Sequence, residues 1–168
     1  MAPIVERPRM ADYGVPEDLD GALPWAWAQE RLVNSRNYWL TTSTPEGRPH
    51  SMPVWGVWLP NEDRFWFSCA PNARKARNAR ANPWVVVAPT DTVEVVSVEG
   101  RAIEVSGGDL TTRVDAYFAK YGDEMDMARD KVAEFLTSNA SFDVVADRAF
   151  GIIERPDDFA RCATRWRW

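Results

Sequence analysis

The run Phe65-Trp66-Phe67-Ser68-Cys69-Ala70-Pro71-Asn72-Ala73-Arg74-Lys75-Ala76-Arg77-Asn78-Ala79-Arg80-Ala81-Asn82-Pro83 decides how the chain is read. An aromatic, strand-like segment ends at Ser68, and Ala70-Pro71-Asn72 supplies a turn. The ten residues that follow, Ala73 to Asn82, lack Gly and Pro, are rich in Ala and Arg, and predict a helix with Asn72 as its N-cap. Arg74, Lys75, Arg77 and Arg80 crowd the early turns, where backbone N–H groups and the helix dipole already favour anions. Cations there oppose the dipole, so the pattern points to an anionic ligand, most simply a phosphate. A solvated basic helix face is the other reading these residues leave open.

Working outward, 168 residues make one domain able to bury about two thirds of its unfolded surface. Cys69 and Cys162 lie far apart and form no CxxC pair, so neither a disulfide framework nor a zinc site is expected. A net charge of −5 argues against a dedicated nucleic-acid binder. No stretch approaches the roughly 20 apolar residues of a membrane span, and the N-terminus has no signal-peptide run, so a soluble, cytoplasmic protein is expected. Lys75, Lys120 and Lys131 are its lysines, while Arg, Ala, Val and Trp abound, a bias of GC-rich genomes such as those of actinobacteria. The nine tryptophans are the physical oddity, each a large flat apolar surface.

Residues 1–22, with Pro3, Pro8 and Pro16, read as an extended arm, wrapped on a neighbour or loose; residues 23–168 form the domain. Trp25 to Asn34 predicts a helix opened by Pro24. Tyr38 to Thr42 and Pro49 to Leu59 predict a hairpin, neither face of the second strand being clearly polar, with Pro53 marking an edge, a bulge or a flat neighbour. Strands follow at Arg64–Ser68, Trp84–Ala88 and Thr92–Val105, the last interrupted at Gly100. Gly107-Gly108 breaks this pattern. Helices are predicted at Leu110–Tyr121, capped by Asp109 and ended by Gly122, and at Met127–Ser138. Phe150 to Glu154 and Ala160 to Trp168 close the chain as strands. An antiparallel meander with this spacing suggests a barrel.

Asn37-Tyr38-Trp39-Leu40-Thr41-Thr42, then Gly47-Arg48-Pro49-His50-Ser51-Met52-Pro53-Val54-Trp55-Gly56-Val57-Trp58, then Arg74-Lys75-Ala76-Arg77-Asn78 and the terminal Ala163-Thr164-Arg165-Trp166-Arg167-Trp168, together carry a resemblance. The chain resembles the pyridoxamine 5′-phosphate oxidase-like split β-barrel family, and within it the actinobacterial flavin/deazaflavin oxidoreductase branch. That resemblance implies a mainly β fold with flanking helices, a six-stranded antiparallel split barrel, and a homodimer with cofactor sites at the interface. It implies a cofactor ring along His50, Met52, Pro53 and Val54, a phosphate near Ser68, Arg74, Lys75 and Asn78, and Arg165 and Trp166 close by.

The function so implied is hydride transfer from FMN or the deazaflavin coenzyme F420 to a small organic acceptor. The cofactor carries the chemistry, with no metal and no catalytic side chain. Four helix cations exceed the need of one phosphate and favour F420, whose lactyl-oligoglutamate tail extends beyond it. The alternatives are an FMN-binding relative of the oxidase itself and a non-catalytic flavin or haem carrier or sensor. Against the oxidase, Arg165-Trp166-Arg167-Trp168 lacks the Arg-x-His pattern of that enzyme. His50, the lone histidine, reads either as a ligand contact or as a hydrogen-bonded packing residue.

Overall fold

Residues 2–106 and 110–168 are described by a computed structural model. The elements in order are β1 (Ile4–Glu6), a 3-10 turn (Ala11–Tyr13), α1 (Trp25–Asn34), β2 (Tyr38–Ser43), β3 (Pro49–Val54), β4 (Gly56–Leu59) and β5 (Arg64–Cys69). Then come α2 (Arg74–Ala81), β6 (Trp84–Pro89), β7 (Glu94–Val105), α3 (Leu110–Met125), α4 (Arg129–Thr137), β8 (Ala140–Ile153), α5 (Phe159–Cys162) and β9 (Thr164–Arg167). All the pairings are antiparallel; α1 and α2 add Ala28, Leu32, Ala76 and Ala79 to the cluster inside the sheet, and α3 and α4 pack on its outer side.

The run expected as one strand from Pro49 to Leu59 breaks at Trp55. β3 pairs with β2, placing Trp39 opposite Pro53, whereas β4 pairs with β5. The order β3-β2-β6-β7-β8-β5-β4 would otherwise be a closed ring, so the split falls at Trp55. Gly56 allows the break, because a Cβ there would lie 2.3 Å from Phe65 Cζ and 2.7 Å from the Trp66 carbonyl oxygen. Counting the broken run once, the ring has the expected six strands, and β1 and β9 extend the sheet beyond it to nine elements.

The interior is filled by Leu40, Phe65, Phe67, Val87, Val98, Phe142, Val144 and Trp166, all essentially closed to solvent. A second cluster joins the outer side of β4 and β5 to α3 and α4 through Val57, Trp66, Val114, Tyr117, Tyr121, Val132 and Leu136. Burial of such side chains, at about 1.5–3 kcal/mol each, is what holds the helices to the barrel.

Several expectations are corrected. β8 begins at Ala140, ten residues before the strand read at Phe150, and pairs with β5 in its first half and β9 in its second. The segment read as a strand from Ala160 starts as α5 and becomes β9 only at Thr164. α3 runs past Gly122 to Met125, Gly122 being buried against Phe118. The cap of α2 is Ala73, not Asn72, and makes no side-chain hydrogen bond. The Gly107-Gly108 break and the Asp109 cap lie outside the described residues. The N-terminal arm docks on its own chain: Val5 pairs with Trp166, and the Arg7 guanidinium donates to the carbonyls of Asp18, Asp20, Arg161 and Ala163 at 2.6–2.8 Å.

Candidate functional site

The break at Trp55 opens onto a cleft of about 620 Å³. Pro53, Val54 and Trp55 form one wall, the β5–α2 turn supplies Ser68, Cys69, Ala70 and Lys75, and Tyr117, Met125, Phe135 and Leu136 form the wall opposite. Among the described residues lining it, Lys75 alone carries a charge. The body of the cleft is therefore apolar and aromatic with one cationic end, a shape suited to a flat ligand bearing an anion.

The cationic end is equipped for that anion. Among the described residues, Ser68 Oγ is buried without a hydrogen-bond partner, as is His50 Nδ1. Burial, and then the neighbouring charges of Arg74 and Lys75, hold the His50 imidazole below its ordinary pKa. Arg74 and Lys75 make no side-chain hydrogen bond or ion pair among the described residues, unlike the other two helix cations. Arg77 donates to the Asn72 carbonyl, and Arg80 to Glu104 at 2.6 and 2.8 Å and to the Pro71 carbonyl at 2.7 Å. The four-cation cluster thus reduces to Arg74 and Lys75, and two of its members are structural. Cys69, at the same end, has its thiol pushed up by burial, which makes it a poor nucleophile.

The wall at Trp55 is held from outside the barrel. Its ring stacks on Tyr121 with centroids 5.0 Å apart, and the Arg36 guanidinium lies 4.5 Å from its centroid. The Gly56 amide donates to Tyr121 Oη at 3.0 Å, and that hydroxyl lies 2.8 Å from the Arg36 and Gly56 carbonyls. Tyr117, Tyr121, Met125, Phe135 and Leu136 were not singled out as site residues from the sequence. Their helical apolar periodicity reads equally as core.

Of the residues expected at the site, Pro53, Val54, Ser68 and Lys75 share the cleft, with His50 and Arg74 beside its cationic end. Met52 is exposed on the β3 edge. Asn78 is buried and donates its amide to Thr42 Oγ1 at 3.0 Å, joining α2 to β2. Arg165 and Trp166 are not brought to this cleft within the chain. Trp166 is core, its ring 5.3 Å from that of Trp25, and Arg165 is ion-paired to Glu6 at 2.6 Å near the other end of the sheet.

Residues 27–149, most of the chain, match the pyridoxamine 5′-phosphate oxidase family. The chain belongs to that family. Three solved structures of the same fold carry different ligands in their descriptions. An F420 reductase is 20% identical with a TM-score of 0.55, covering 72% of this chain and 94% of its own. An FAD-binding protein from Mesorhizobium loti is 14% identical with a TM-score of 0.60, covering 99% and 98%. HutZ, a haem storage protein from Vibrio cholerae, is 17% identical with a TM-score of 0.58, covering 71% and 87%. At such identities the likeness is one of fold. No curated protein matches the sequence. Among the described residues no cluster of metal-ligating side chains occurs, and no helix is long and apolar enough to cross a membrane.

Proposed function

We propose that the protein binds a phosphate-bearing flavin-type cofactor in the Trp55 cleft and serves hydride transfer to a small organic acceptor. The observation that carries this reading is the buried Ser68 Oγ, without a partner among the described residues, beside Lys75 at the cationic end of an apolar, aromatic-walled cleft. Ser68 and Lys75 would hold the phosphate with charge-assisted hydrogen bonds, and Pro53, Val54 and Trp55 would face the ring. When bound, the cofactor supplies the hydride chemistry; the chain orients it and keeps water from its apolar side. With Arg77 and Arg80 engaged elsewhere, the preference for F420 over FMN rests on Arg74. It is exposed beside Lys75 and remains for the carboxylates of a tail that FMN lacks.

The second subunit of the proposed homodimer would lie on the outer sheet face. Ser51, Thr41, Val86, Glu99, Arg148, Arg167 and Ile4 follow one another as register partners across that face. Trp39 and Trp84, 47% and 50% exposed, are on the same side, two residues before Thr41 and Val86. An uncovered sheet face of this kind calls for a partner, and a second copy presents the same residues. Arg165 shares the face, which leaves it a route to the cleft of the other subunit.

Absorbance and fluorescence titration of the purified protein with F420, FMN and haem tests the reading. Saturable binding of F420, tighter than that of FMN, is expected. A Soret band titrating to equivalence without binding of either flavin-type cofactor would replace this reading with that of a haem protein.

A further inference from the structure

A second cavity, of about 330 Å³, lies between α1, β4 and α3, lined by Val33, Val57, Trp58, Ala116, Ala119 and Lys120. Lys120 is the one charged residue among the described residues lining it. Its amino nitrogen reaches Tyr38 Oη at 2.7 Å and the Gly56 carbonyl at 3.2 Å. Tyr38 gives its own hydroxyl proton to the Leu32 carbonyl, so toward Lys120 it is an acceptor. A neutral amine at this place has both N–H bonds used by fixed acceptors and its lone pair unclaimed. The cavity therefore offers a nucleophile among otherwise apolar walls.

We propose that Lys120 is a covalent capture site for small apolar aldehydes. The Nζ lone pair adds to the carbonyl carbon, the C=O π pair passes to oxygen, and that oxygen takes the proton released by nitrogen. Loss of water from the carbinolamine leaves an imine, so that amine plus aldehyde gives imine plus water with no redox change. The surroundings favour the neutral amine. Burial first, and then the charge of Arg36, bring Lys120 down to about 8. The other titratable groups facing it, Tyr38 and Tyr121, have their own pKa values raised by burial and stay uncharged. The Val33, Val57, Ala116 and Ala119 side chains select an aldehyde with an aliphatic or aromatic body over a charged one.

The experiment treats the full chain with limiting hexanal and cyanoborohydride near pH 8, then maps alkylated lysines by peptide mass spectrometry. Lys131 and Lys75, the other lysines, are internal references. Lys120 is expected to label at least about tenfold faster than Lys131, in line with its lower pKa, and to lose that advantage in urea. Ala119→Phe, which fills the cavity mouth, is expected to slow Lys120 labelling at least about threefold while Lys131 is unchanged, as a size-limited pocket requires. Labelling of Lys120 no faster than Lys131, or unaffected by Ala119→Phe, overturns the proposal.

Discussion

Arg113, on α3, grips Asp143 near the start of β8, with Nη2 2.7 Å from Oδ2 and Nε 3.2 Å from Oδ1, and both side chains nearly closed to solvent. Asp143 also accepts from Arg64 on β5 at 3.1 Å, and Arg113 reaches Glu62 at 2.8 Å. The guanidinium pKa is raised by the hydrogen bond to Asp143 against the opposing effect of burial. This network fastens the helical wall of the cleft to the barrel. Asp143→Ala leaves the buried Arg113 with the partly exposed Glu62 as its remaining partner and should cost about 3 kcal/mol, read from urea unfolding. The double replacement Arg113→Met with Asp143→Leu should recover much of that loss. A single-mutant cost under about 1 kcal/mol would show that apolar contacts alone hold α3.

The N-terminal arm is expected to come loose in Arg7→Ala. The Arg7 guanidinium fans out to four carbonyls, a geometry that the single ammonium of Arg7→Lys does not reproduce. Chymotrypsin should cut at the exposed Tyr13 several times faster in both variants, with barrel unfolding little changed. Glu6 adds a pH dependence. Hydrogen bonds from Arg165 and then Arg167 lower its pKa from 4.5, so its contribution is complete above that value and lost as pH falls through the lower folded value. Cleavage that did not accelerate on acidification through that window would argue against the Glu6 tie.

His50 gives one imidazole signal, being the lone histidine. Its folded pKa is depressed from 6.5 by burial and by Arg74 and Lys75, so the unfolded chain binds the proton more readily. The stability it contributes is therefore present above about 6.5 and declines as pH falls from there toward the folded value. In NMR titrations the apo midpoint should lie below 6.5, and bound inorganic phosphate or cofactor should raise it by neutralising Arg74 and Lys75. A midpoint that ligand leaves in place would separate His50 from the anion site. His50→Asn should lower turnover far less than the roughly hundredfold expected on loss of an obligate general acid.

The legible parts of this chain are those where periodicity and use coincide. Trp25–Asn34 was bounded correctly because Pro24, Ala28 and Leu32 mark its start and buried face locally. Ten of the fourteen residues of β8 were missed because Ser141, Asp143, Asp147 and Arg148 interrupt any apolar pattern, while the partner that makes Asp143 tolerable, Arg113, is thirty residues away. The break at Trp55 depends on Phe65 lying over Gly56, a contact no local pattern announces. At the site, Lys75 was legible through the strand, turn and basic helix around it, and Ser68 through the family resemblance alone. The opposite wall was not, since Tyr117 and Leu136 at core spacing carry no mark of also lining a cleft.

The helix cations supply the sharpest test of the site, because sequence made them equivalent and structure does not. Lys75 lines the cleft with no side-chain partner among the described residues, whereas Arg80 is held in a two-pronged pair by Glu104, and its pKa is raised by that bond. Lys75→Glu should weaken cofactor binding by at least about tenfold, the lower end of what losing a charge-assisted hydrogen bond costs, with an unchanged urea midpoint. Arg80→Ala should leave the affinity within about threefold, because Arg80 does not line the cleft and its guanidinium is already engaged by Glu104 in an exposed ion pair. Arg74→Ala should weaken F420 more than FMN, since only the former brings further anions to an exposed cation beside the phosphate. Equal affinities in wild type and Lys75→Glu would remove the anion from this end of the cleft. Equal loss for the two cofactors in Arg74→Ala would remove the reason for preferring the deazaflavin.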